Sequence, residues 1–273
     1  MTNSLAPNCL PVRNRTVPEY DLRSIWEATG FVPHPGQEAV AEGWSTHSRS
    51  VVSCGTRWGQ DTFSAHLPLA HIAPCKRLRA GKSWLADEHK TTGAILAPRF
   101  ELAGMLMERI YENVFKLCSV LGFNTQEKGI TPLTVRRVNG VMTSIVTPWG
   151  SQIDAFTLEN PKALLGHEFD WLIVHKADGF SPADWLSYYE YADRALIARD
   201  GWAYIGCTGG DVHSPLHRLF LQGLPESETK HPDCISFQMP TADNTLLDPQ
   251  WLRERRGGMP QRIWEKNWEG GFI

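Results

Sequence analysis

Hydrophobic residues along this chain follow two patterns that alternate from one end to the other. Short, almost continuous apolar runs, which are typical of strands buried in a parallel sheet, lie at 51–53, 93–97, 169–174 and 202–207. Segments with apolar residues at helical spacing lie around them, at 21–28, 37–44, 62–72, 100–121, 181–198 and 215–221. Because strands that alternate with helices usually pair in parallel, the pattern predicts an α/β fold with a mainly parallel sheet.

The middle of the chain has a different pattern, which predicts antiparallel strands. Leu133–Val138 and Val141–Val146 flank Asn139-Gly140, a dipeptide that is a strong signal for a tight hairpin turn. A further strand is predicted over Gln152–Leu158. We therefore expect an antiparallel hairpin beside the parallel strands.

The terminal segments differ in composition from the centre of the chain. Residues 1–20 are rich in Pro, Asn and Arg and predict an extended arm. Residues 223–250 are polar and predict irregular structure, whereas Pro249–Trp268 predicts two helical pieces that separate at Gly257-Gly258. The predicted organisation is an arm at 1–20, an α/β domain at 21–228 and a C-terminal linker or lid segment at 229–273.

Composition and charge exclude several classes of protein. With 42% apolar residues, 21% charged residues and a net charge of −3, the chain has ordinary globular composition and no overall basic charge. No apolar run reaches the roughly 20 residues needed to cross a membrane, and the N-terminus lacks the apolar core of a signal peptide. The six cysteines form no CxxC pair, so neither a zinc module nor a disulfide framework is indicated. We assign no metal ligands.

Basic residues are concentrated at two places in the sequence. One cluster contains Lys76, Arg77, Arg79 and Lys82, and the other contains Arg253, Arg255, Arg256 and Arg262. Each cluster is either a solvated surface or a local contact to DNA phosphates. The sequence leaves both interpretations open.

The segment 50–66 begins like a phosphate-binding loop. A predicted strand ends at Ser53, Gly55 and Gly59 supply the glycines of a turn, and a predicted helix follows. In such loops the backbone N–H groups of the turn and of the helix N-terminus bind phosphate. A lysine normally adds positive charge, and a Ser or Thr hydroxyl binds magnesium.

The side chains that follow Gly59 depart from this pattern. Gln60 stands at the position of the lysine, Asp61 stands at the position of the hydroxyl, and Thr62 offers a hydroxyl one place later. The segment is thus either an altered nucleotide site or a structural strand–helix turn. The literal triplet Gly81-Lys82-Ser83 follows no apolar strand, and we interpret it as a basic loop.

The order of the motifs resembles the ATPase domain of the large subunit of viral terminase, the DNA-packaging motor of tailed bacteriophages. The stretches that carry the resemblance are His34-Pro35-Gly36-Gln37, Cys54-Gly55-Thr56-Arg57-Trp58-Gly59, Ala94-Ile95-Leu96-Ala97-Pro98, Pro161-Lys162-Ala163-Leu164-Leu165-Gly166, Thr208-Gly209-Gly210 and Gln261–Ile273. Their order and spacing carry the resemblance, which spans about residues 30–273. It implies a P-loop NTPase-like three-layer sandwich with a mainly parallel central sheet and an added antiparallel hairpin.

The resemblance also implies roles for individual residues. Gln37 is expected on the adenine side of the nucleotide. The residues expected to bind the rest of the nucleotide are Gly55, Thr56, Arg57, Trp58, Gly59, Gln60, Asp61 and Thr62. Thr208, Gly209 and Gly210 occupy the position of the coupling motif. The strands 51–53 and 170–174, which carry the site, are expected side by side in one sheet.

The departures from the family pattern fall on the catalytic charges. The Walker B strand should end in an Asp and a Glu, but His175 and Lys176 stand at these catalytic positions. Removing one aimed charge or donor typically lowers a rate by about 10²–10³, and phosphoryl transfer depends almost entirely on such groups. We therefore expect ATP hydrolysis to be weak or absent. Asp178, on the loop after the strand, is either a substitute metal ligand or a turn residue.

The function implied by the resemblance is packaging of phage DNA into the capsid, in the cytoplasm of the host. It further implies ATP and Mg²⁺ as cofactors, and double-stranded DNA, a terminase small subunit and a portal as partners. The expected assembly is a ring of identical subunits, without contact to a membrane, and we expect no counterpart of the family's C-terminal nuclease domain within residues 1–273. One alternative is a pseudo-ATPase that serves as a DNA- or protein-binding module, and another is a helicase-related remnant.

Overall fold

The computed structural model describes residues 22–73, 90–120 and 133–273. The predicted N-terminal arm at 1–20 lies outside the described residues, and so does the first basic cluster with its Gly81-Lys82-Ser83 triplet. In the part of the chain that is described, no helix is both long and apolar enough to span a lipid bilayer.

A mixed sheet, to which the described residues contribute eight strands, forms the centre of this part of the chain. Its strands are β1 (Arg49–Cys54), β2 (Thr92–Ala97), β3 (Thr134–Val138), β4 (Val141–Val146), β5 (Gln152–Thr157), β6 (Trp171–Val174), β7 (Trp202–Cys207) and β8 (Cys234–Met239). They are arranged in the order β3-β4-β5-β2-β6-β7-β1-β8. The β3–β4 and β4–β5 pairs are antiparallel, and all other pairs are parallel.

Helices cover both faces of this sheet. They are α1 (Leu22–Thr29), α2 (Pro35–Thr46), α3 (Gln60–His66), α4 (Leu69–Ile72), α5 (Phe100–Val120), α6 (Pro182–Ser187), α7 (Asp193–Ile197), α8 (Pro215–Gln222), α9 (Pro249–Gly257) and α10 (Gln261–Trp268). A π-helical turn over Tyr188–Ala192 joins α6 to α7, so the helix predicted from Ser181 is continuous.

The alternation of side chains along the strands separates two hydrophobic cores. Ile95 of β2 and Ile173 of β6 belong to the core with α1–α5. Their neighbours Leu96 and Leu172 point to the opposite face and belong to the core with α6–α8. The predicted three-layer sandwich, with its mainly parallel sheet and antiparallel hairpin, is therefore confirmed. At the hairpin turn, Asn139 and Gly140 both have positive φ, as a type I′ turn requires.

Two predicted elements differ from the structure. The helix predicted at 62–72 begins two residues earlier, at Gln60, and divides into α3 and α4. The division falls at Pro68, because proline has no backbone N–H for a helical hydrogen bond. Residues 223–250 were predicted to be irregular, but Cys234–Met239 forms β8 and pairs in parallel with β1. This strand lies within the segment predicted to follow the α/β domain, and it completes the sheet of that domain.

The strands that carry the candidate site share one sheet, but they are not neighbours. The expectation that 51–53 and 170–174 lie side by side was wrong, because β7 pairs with both β1 and β6 and lies between them. All three strands are parallel, so their carboxyl ends meet at the same edge of the sheet. Ligands of open α/β sheets bind at this edge.

Candidate nucleotide site

The candidate site lies where β1, β7 and β6 end. The strand β1 leads into the loop 55–59, β6 leads into His175 and Lys176, and β7 leads into 208–210. The sheet thus brings together three sequence segments that lie far apart along the chain. The predicted loop, Walker B and coupling positions are all at this edge.

The loop 55–59 turns the chain through two residues with positive φ. Arg57 has a φ of 70°, and Gly59, which precedes α3, has a φ of 96°. A side chain at position 59 would also place its Cβ 2.9 Å from Nε2 of Gln37. Glycine is therefore required here both by the backbone conformation and by the close approach of α2.

The first half of the loop is held by the C-terminal part of the chain. The N–H of Gly55 donates to the carbonyl oxygen of Met239 at 2.8 Å, and that of Thr56 donates to Asn267 at 2.6 Å. A Cβ at position 55 would lie only 2.1 Å from the carbonyl oxygen of Trp268. Residues beyond 229 thus form one wall of the loop.

Two polar side chains fix the loop carbonyl groups from the same direction. The hydroxyl of Thr241 donates to the carbonyl oxygen of Thr56 at 2.6 Å, and Nδ2 of Asn244 donates to that of Arg57 at 2.7 Å. The sequence analysis missed Thr241 and Asn244, since they lie in the polar stretch that was predicted to be irregular. No local pattern there indicates a contact with position 56 or 57.

The second half of the loop keeps unpaired donors. Within the described part of the chain, the N–H groups of Gly59, Gln60, Asp61 and Thr62 have no hydrogen-bond acceptor. The first N–H groups of a helix have no intrahelical partner, and together with the helix dipole they favour an anion. This geometry agrees with a phosphate-binding turn.

Gln37 lies beside the loop, but its amide group is engaged within the protein. Its Oε1 accepts the N–H of His34 at 3.2 Å, and its Nε2 lies 3.5 Å from the carbonyl oxygen of Gly59. Nε2 of His34 lies 2.8 Å from the carbonyl oxygen of Trp58. Both side chains therefore connect the start of α2 to the loop. A role for Gln37 on the adenine side stays a prediction.

Trp58 projects into the core rather than out of the loop. Its side chain is completely buried, and its ring makes edge contacts with His34 and Phe63, with centroids 5.0 and 5.7 Å apart. Only the backbone of Trp58 remains available to a ligand. Arg57 and Thr56, by contrast, are exposed.

Gln60, at the lysine position, turns its amide into the sheet. Its Nε2 donates to the carbonyl oxygen of Cys207, the last residue of β7, at 3.3 Å and to that of Val52, within β1, at 3.4 Å. The side chain is 5% exposed. The side chain at position 60 therefore supplies no charge and no donor to the outer side of the loop, and only its backbone N–H faces a ligand there.

Asp61 and Lys176 form an ion pair across the site. Nζ of Lys176 lies 2.9 Å from Oδ1 of Asp61. Burial alone would raise the pKa of Asp61, but the hydrogen bond and the charge of Lys176 outweigh burial and hold this pKa below its usual value. The carboxylate at the start of α3 is therefore ionised and paired with the cation at the end of β6.

His175 is buried beside this pair and is neutral. Its side chain is 4% exposed, and its Nε2 lies 4.0 Å from Oδ1 of Asp61. Burial lowers the pKa of His175 to about 4, despite the opposing effect of Asp61. At pH 7 the Walker B positions thus carry one neutral ring and one ammonium group.

The residues present do not fit a magnesium site. Mg²⁺ requires oxygen ligands such as carboxylates, whereas the carboxylate of Asp61 is bound by an ammonium group. Oδ1 of Asp178 accepts the N–H of Thr208 at 3.0 Å, so this residue holds the coupling segment. Among the described residues, no group of three or more His, Cys, Asp or Glu side chains could hold a metal ion.

The coupling segment connects the site to the last residues of the chain. The N–H of Gly209 donates to Oγ of Ser53 at 3.0 Å, and this hydroxyl donates to the carbonyl oxygen of Gly270 at 2.6 Å. Gly210 forms a β-bridge with Phe272. The end of β1 is therefore in direct contact with 208–210 and with Gly270.

Comparison with known proteins identifies the fold. No family model matches the chain, and no curated protein matches it by sequence. Among solved structures, the large terminase ATPase domain of Thermus phage P74-26 superposes with a TM-score of 0.70 at 22% identity. The match covers 95% of this chain and 100% of that domain.

Two longer terminases show the same likeness over part of their length. The large terminase of a thermophilic bacteriophage, solved in complex with ADP, matches with a TM-score of 0.57 at 9% identity over 88% of this chain. The large terminase of bacteriophage HK97 matches with a TM-score of 0.59 at 14% identity over 86% of this chain. The matches span 53% of the ADP-bound protein and 49% of the HK97 protein. The chain therefore has the fold of the ATPase domain of phage large terminases.

Proposed function

We propose that this chain is the ATPase-type motor domain of a terminase large subunit, acting in the packaging of phage DNA in the host cytoplasm. The observation that carries the proposal is the superposition over the whole P74-26 ATPase domain, with the loop, Walker B and coupling segments at one edge of the sheet. The unpaired amides of 59–62 support binding of a nucleotide phosphate.

We further propose that hydrolysis by this chain is weak or absent. Three side chains stand at the positions where the family has its catalytic charges. They are the neutral amide of Gln60, which is turned into the sheet, the neutral imidazole of His175 and the ammonium group of Lys176. Loss of one such group costs about 10²–10³ in rate. A cation at position 176 cannot act as the carboxylate that orients the attacking water.

ATP turnover tests this proposal directly. The parent chain is compared with a variant that restores the family pattern, Gln60→Lys, Asp61→Thr, His175→Asp and Lys176→Glu. Asp61 is included because Lys176→Glu alone would leave two carboxylates facing each other. We expect phosphate release near background from the parent. Release from the parent that is clearly above background and matches or exceeds that of the restored variant would contradict impaired hydrolysis.

The same geometry favours a second candidate, a pseudo-ATPase that serves as a binding module. The specific observation is the ion pair between Asp61 and Lys176, which occupies the space between the loop and β6. Binding of ATP measured by calorimetry separates the candidates. A module without a nucleotide role would give no heat of binding in the presence or absence of Mg²⁺.

Double-stranded DNA is the partner that we propose for the helices α9 and α10. No residue of α9 is buried, and its arginines are exposed. Among the described residues, no carboxylate forms an ion pair with any of the four basic side chains, Arg253, Arg255, Arg256 and Arg262. Unpaired, exposed guanidinium groups on one segment are typical of phosphate contacts. A small subunit, a portal and a ring of subunits remain proposals that follow from the resemblance alone.

A further inference from the structure

Compared with the family pattern, the positive and negative charges of the candidate site have changed places between the loop and the sheet. In the family that the sequence resembles, the loop carries a lysine and the strand carries carboxylates. Here the carboxylate of Asp61 begins α3, and the ammonium group of Lys176 follows β6, with 2.9 Å between their charged atoms. The positive charge is thus still present at the site, but it comes from the opposite side.

The backbone of Lys176 is held in a conformation that few residues adopt. Its φ is 55° and its ψ is 48°, the left-handed region that is unfavourable for a residue with a Cβ. Two hydrogen bonds fix it there, from the N–H of His175 to Leu96 at 2.8 Å and from the N–H of Gly179 to the carbonyl oxygen of Lys176 at 2.9 Å. Such conformations concentrate at ligand sites, where the surrounding structure enforces them.

Two cations and two carboxylates lie around this pair, and one of the carboxylates, Asp178, already accepts the N–H of Thr208. Asp61 is the carboxylate of the pair, and Gln60 and His175 are neutral. Burial has the largest effect on both pKa values, raising that of Asp61 and lowering that of His175, and Arg109 of α5 has a smaller effect that lowers both. Lys176 and Arg109 are therefore the two cations that a phosphate at this site would meet.

The ion pair is accessible to such an exchange. The side chain of Lys176 is 32% exposed, and that of Asp61 is 39% exposed. The unpaired N–H groups of Asp61 and Thr62 lie at the same end of α3. A phosphate that accepts from these groups would therefore lie within reach of the ammonium group.

We propose that Lys176 is the phosphate-binding cation of this site and that the site takes a nucleoside di- or triphosphate without Mg²⁺. Asp61 is the counter-ion of Lys176 in the free protein and releases it when the phosphate binds. The inference rests on the proposed nucleotide role of the loop. It goes beyond that role in two ways. It names Lys176 as the source of the positive charge, and it states that the nucleotide binds without a metal ion.

Binding of N-methylanthraniloyl-ADP, followed by fluorescence anisotropy, tests the proposal on the full chain. The titration is made once in EDTA and once in excess Mg²⁺. We expect the affinity in EDTA to equal or exceed that in Mg²⁺, because the ammonium group of Lys176, rather than a metal ion, supplies the positive charge at the phosphate. Lys176→Gln should weaken binding in EDTA by about 10-fold or more, as expected for a lost charged hydrogen bond, and Lys176→Arg should retain most of the affinity.

Asp61→Asn provides the opposite change. It removes the competing counter-ion, so it should tighten binding in EDTA by several-fold, and it tests the proposal even if Lys176→Gln does not fold. Lys116→Gln, at the exposed far end of α5, removes the same charge away from the site and should leave the affinity unchanged.

The outcomes separate this inference from the proposed function. Binding that requires Mg²⁺, or that is unchanged in Lys176→Gln, overturns the role of Lys176 but leaves a nucleotide-binding motor domain. An Asp61→Asn variant that binds more weakly than the parent overturns the counter-ion role. The absence of binding under both conditions, in the parent and in Asp61→Asn, overturns the inference together with the nucleotide role.

Discussion

At the scale of single residues, burial and pairing decide the chemistry of the site. Gln60 and Asp61 are adjacent in the sequence, but the first is turned into the sheet and the second pairs with Lys176. His175 and Lys176 are also adjacent, yet one is a neutral core residue and the other is a partly exposed cation. Neighbours in a motif therefore have unrelated roles once the backbone has directed their side chains.

The buried histidine predicts a loss of stability in mild acid. The pKa of His175 is lowered to about 4 in the folded protein, whereas an unfolded chain binds the proton near 6.5. The unfolded state therefore gains protons first, and stability falls as the pH decreases from 6.5 towards 4. Between pH 7 and pH 5, we expect this histidine to reduce the free energy of unfolding by about 2 kcal/mol.

Urea unfolding of the parent and of His175→Gln at both pH values measures this effect. The substitution changes the core, so the informative quantity is the difference between the two pH values within each protein. His66 is buried and has a pKa of about 4 as well, so part of the pH dependence should remain in the variant. An identical pH dependence in both proteins would exclude His175 as a source.

At the scale of secondary-structure elements, the end of β1 is where the loop, the coupling segment and the C-terminal residues meet. Ser53 contacts Gly209 and Gly270 through one hydroxyl group. Gly209 has a φ of 65°, and a Cβ there would lie 2.4 Å from the carbonyl oxygen of Gly271. Both the turn and the closeness of the last residues require glycine at 209.

Gly209→Ala should therefore destabilise the protein more than a matched substitution. Gly166 also has a positive φ, of 79°, but a Cβ there would have no neighbour within 4 Å. Gly166→Ala should cost only the strain of the left-handed backbone, about 1–2 kcal/mol. Gly209→Ala adds a collision with 270–273, so its loss of unfolding free energy in urea should be clearly larger. Equal losses of unfolding free energy in the two variants would show that 270–273 move to accommodate the new side chain without a loss of stability.

At the scale of the whole molecule, charge is distributed unevenly. The net charge is −3, but residues 249–268 carry four arginines and one lysine against two glutamates. Two of these arginines lie over aromatic rings, Arg255 over Trp251 and Arg256 over Trp264, at 5.5 and 5.8 Å. The stacking orders these guanidinium groups on the surface without neutralising them.

The basic segment 249–268 predicts DNA binding whose affinity falls steeply as the salt concentration rises. Arg253→Gln with Arg262→Gln removes two exposed charges, so the slope of log affinity against log salt should become shallower by about 2 for duplex DNA. Arg136→Gln with Arg194→Gln removes two exposed arginines elsewhere and serves as the control. Anisotropy titrations of a labelled duplex at several salt concentrations measure both slopes. If the Arg253→Gln and Arg262→Gln variant has the same slope as the control, the DNA contact lies on another surface.

The pattern of the sequence predicted most of the fold, because most elements have a strong local signal. The hairpin at Asn139-Gly140, the long helix α5 and the buried strands were predicted close to their observed positions. The strand β8 was missed because Ser236 and Gln238 interrupt its apolar residues, and because it pairs with β1, a strand that lies about 180 residues earlier in the chain. The position of β7 between β1 and β6 was also missed, because local periodicity predicts where strands lie along the chain but not which strands pair in the sheet.

Sequence alone determined which residues stand at the motif positions of the candidate site. The replacement of the lysine by Gln60 and of the Walker B carboxylates by His175 and Lys176 is visible in the motifs. Only the tertiary structure decided that Asp61 and Lys176 pair, that Gln60 faces the strands, and that 239–244 and 267–268 enclose the loop. The physical reason is that these contacts join residues far apart in the chain. Their distances, burial and charge states exist only when the parallel strands end together at one edge of the sheet.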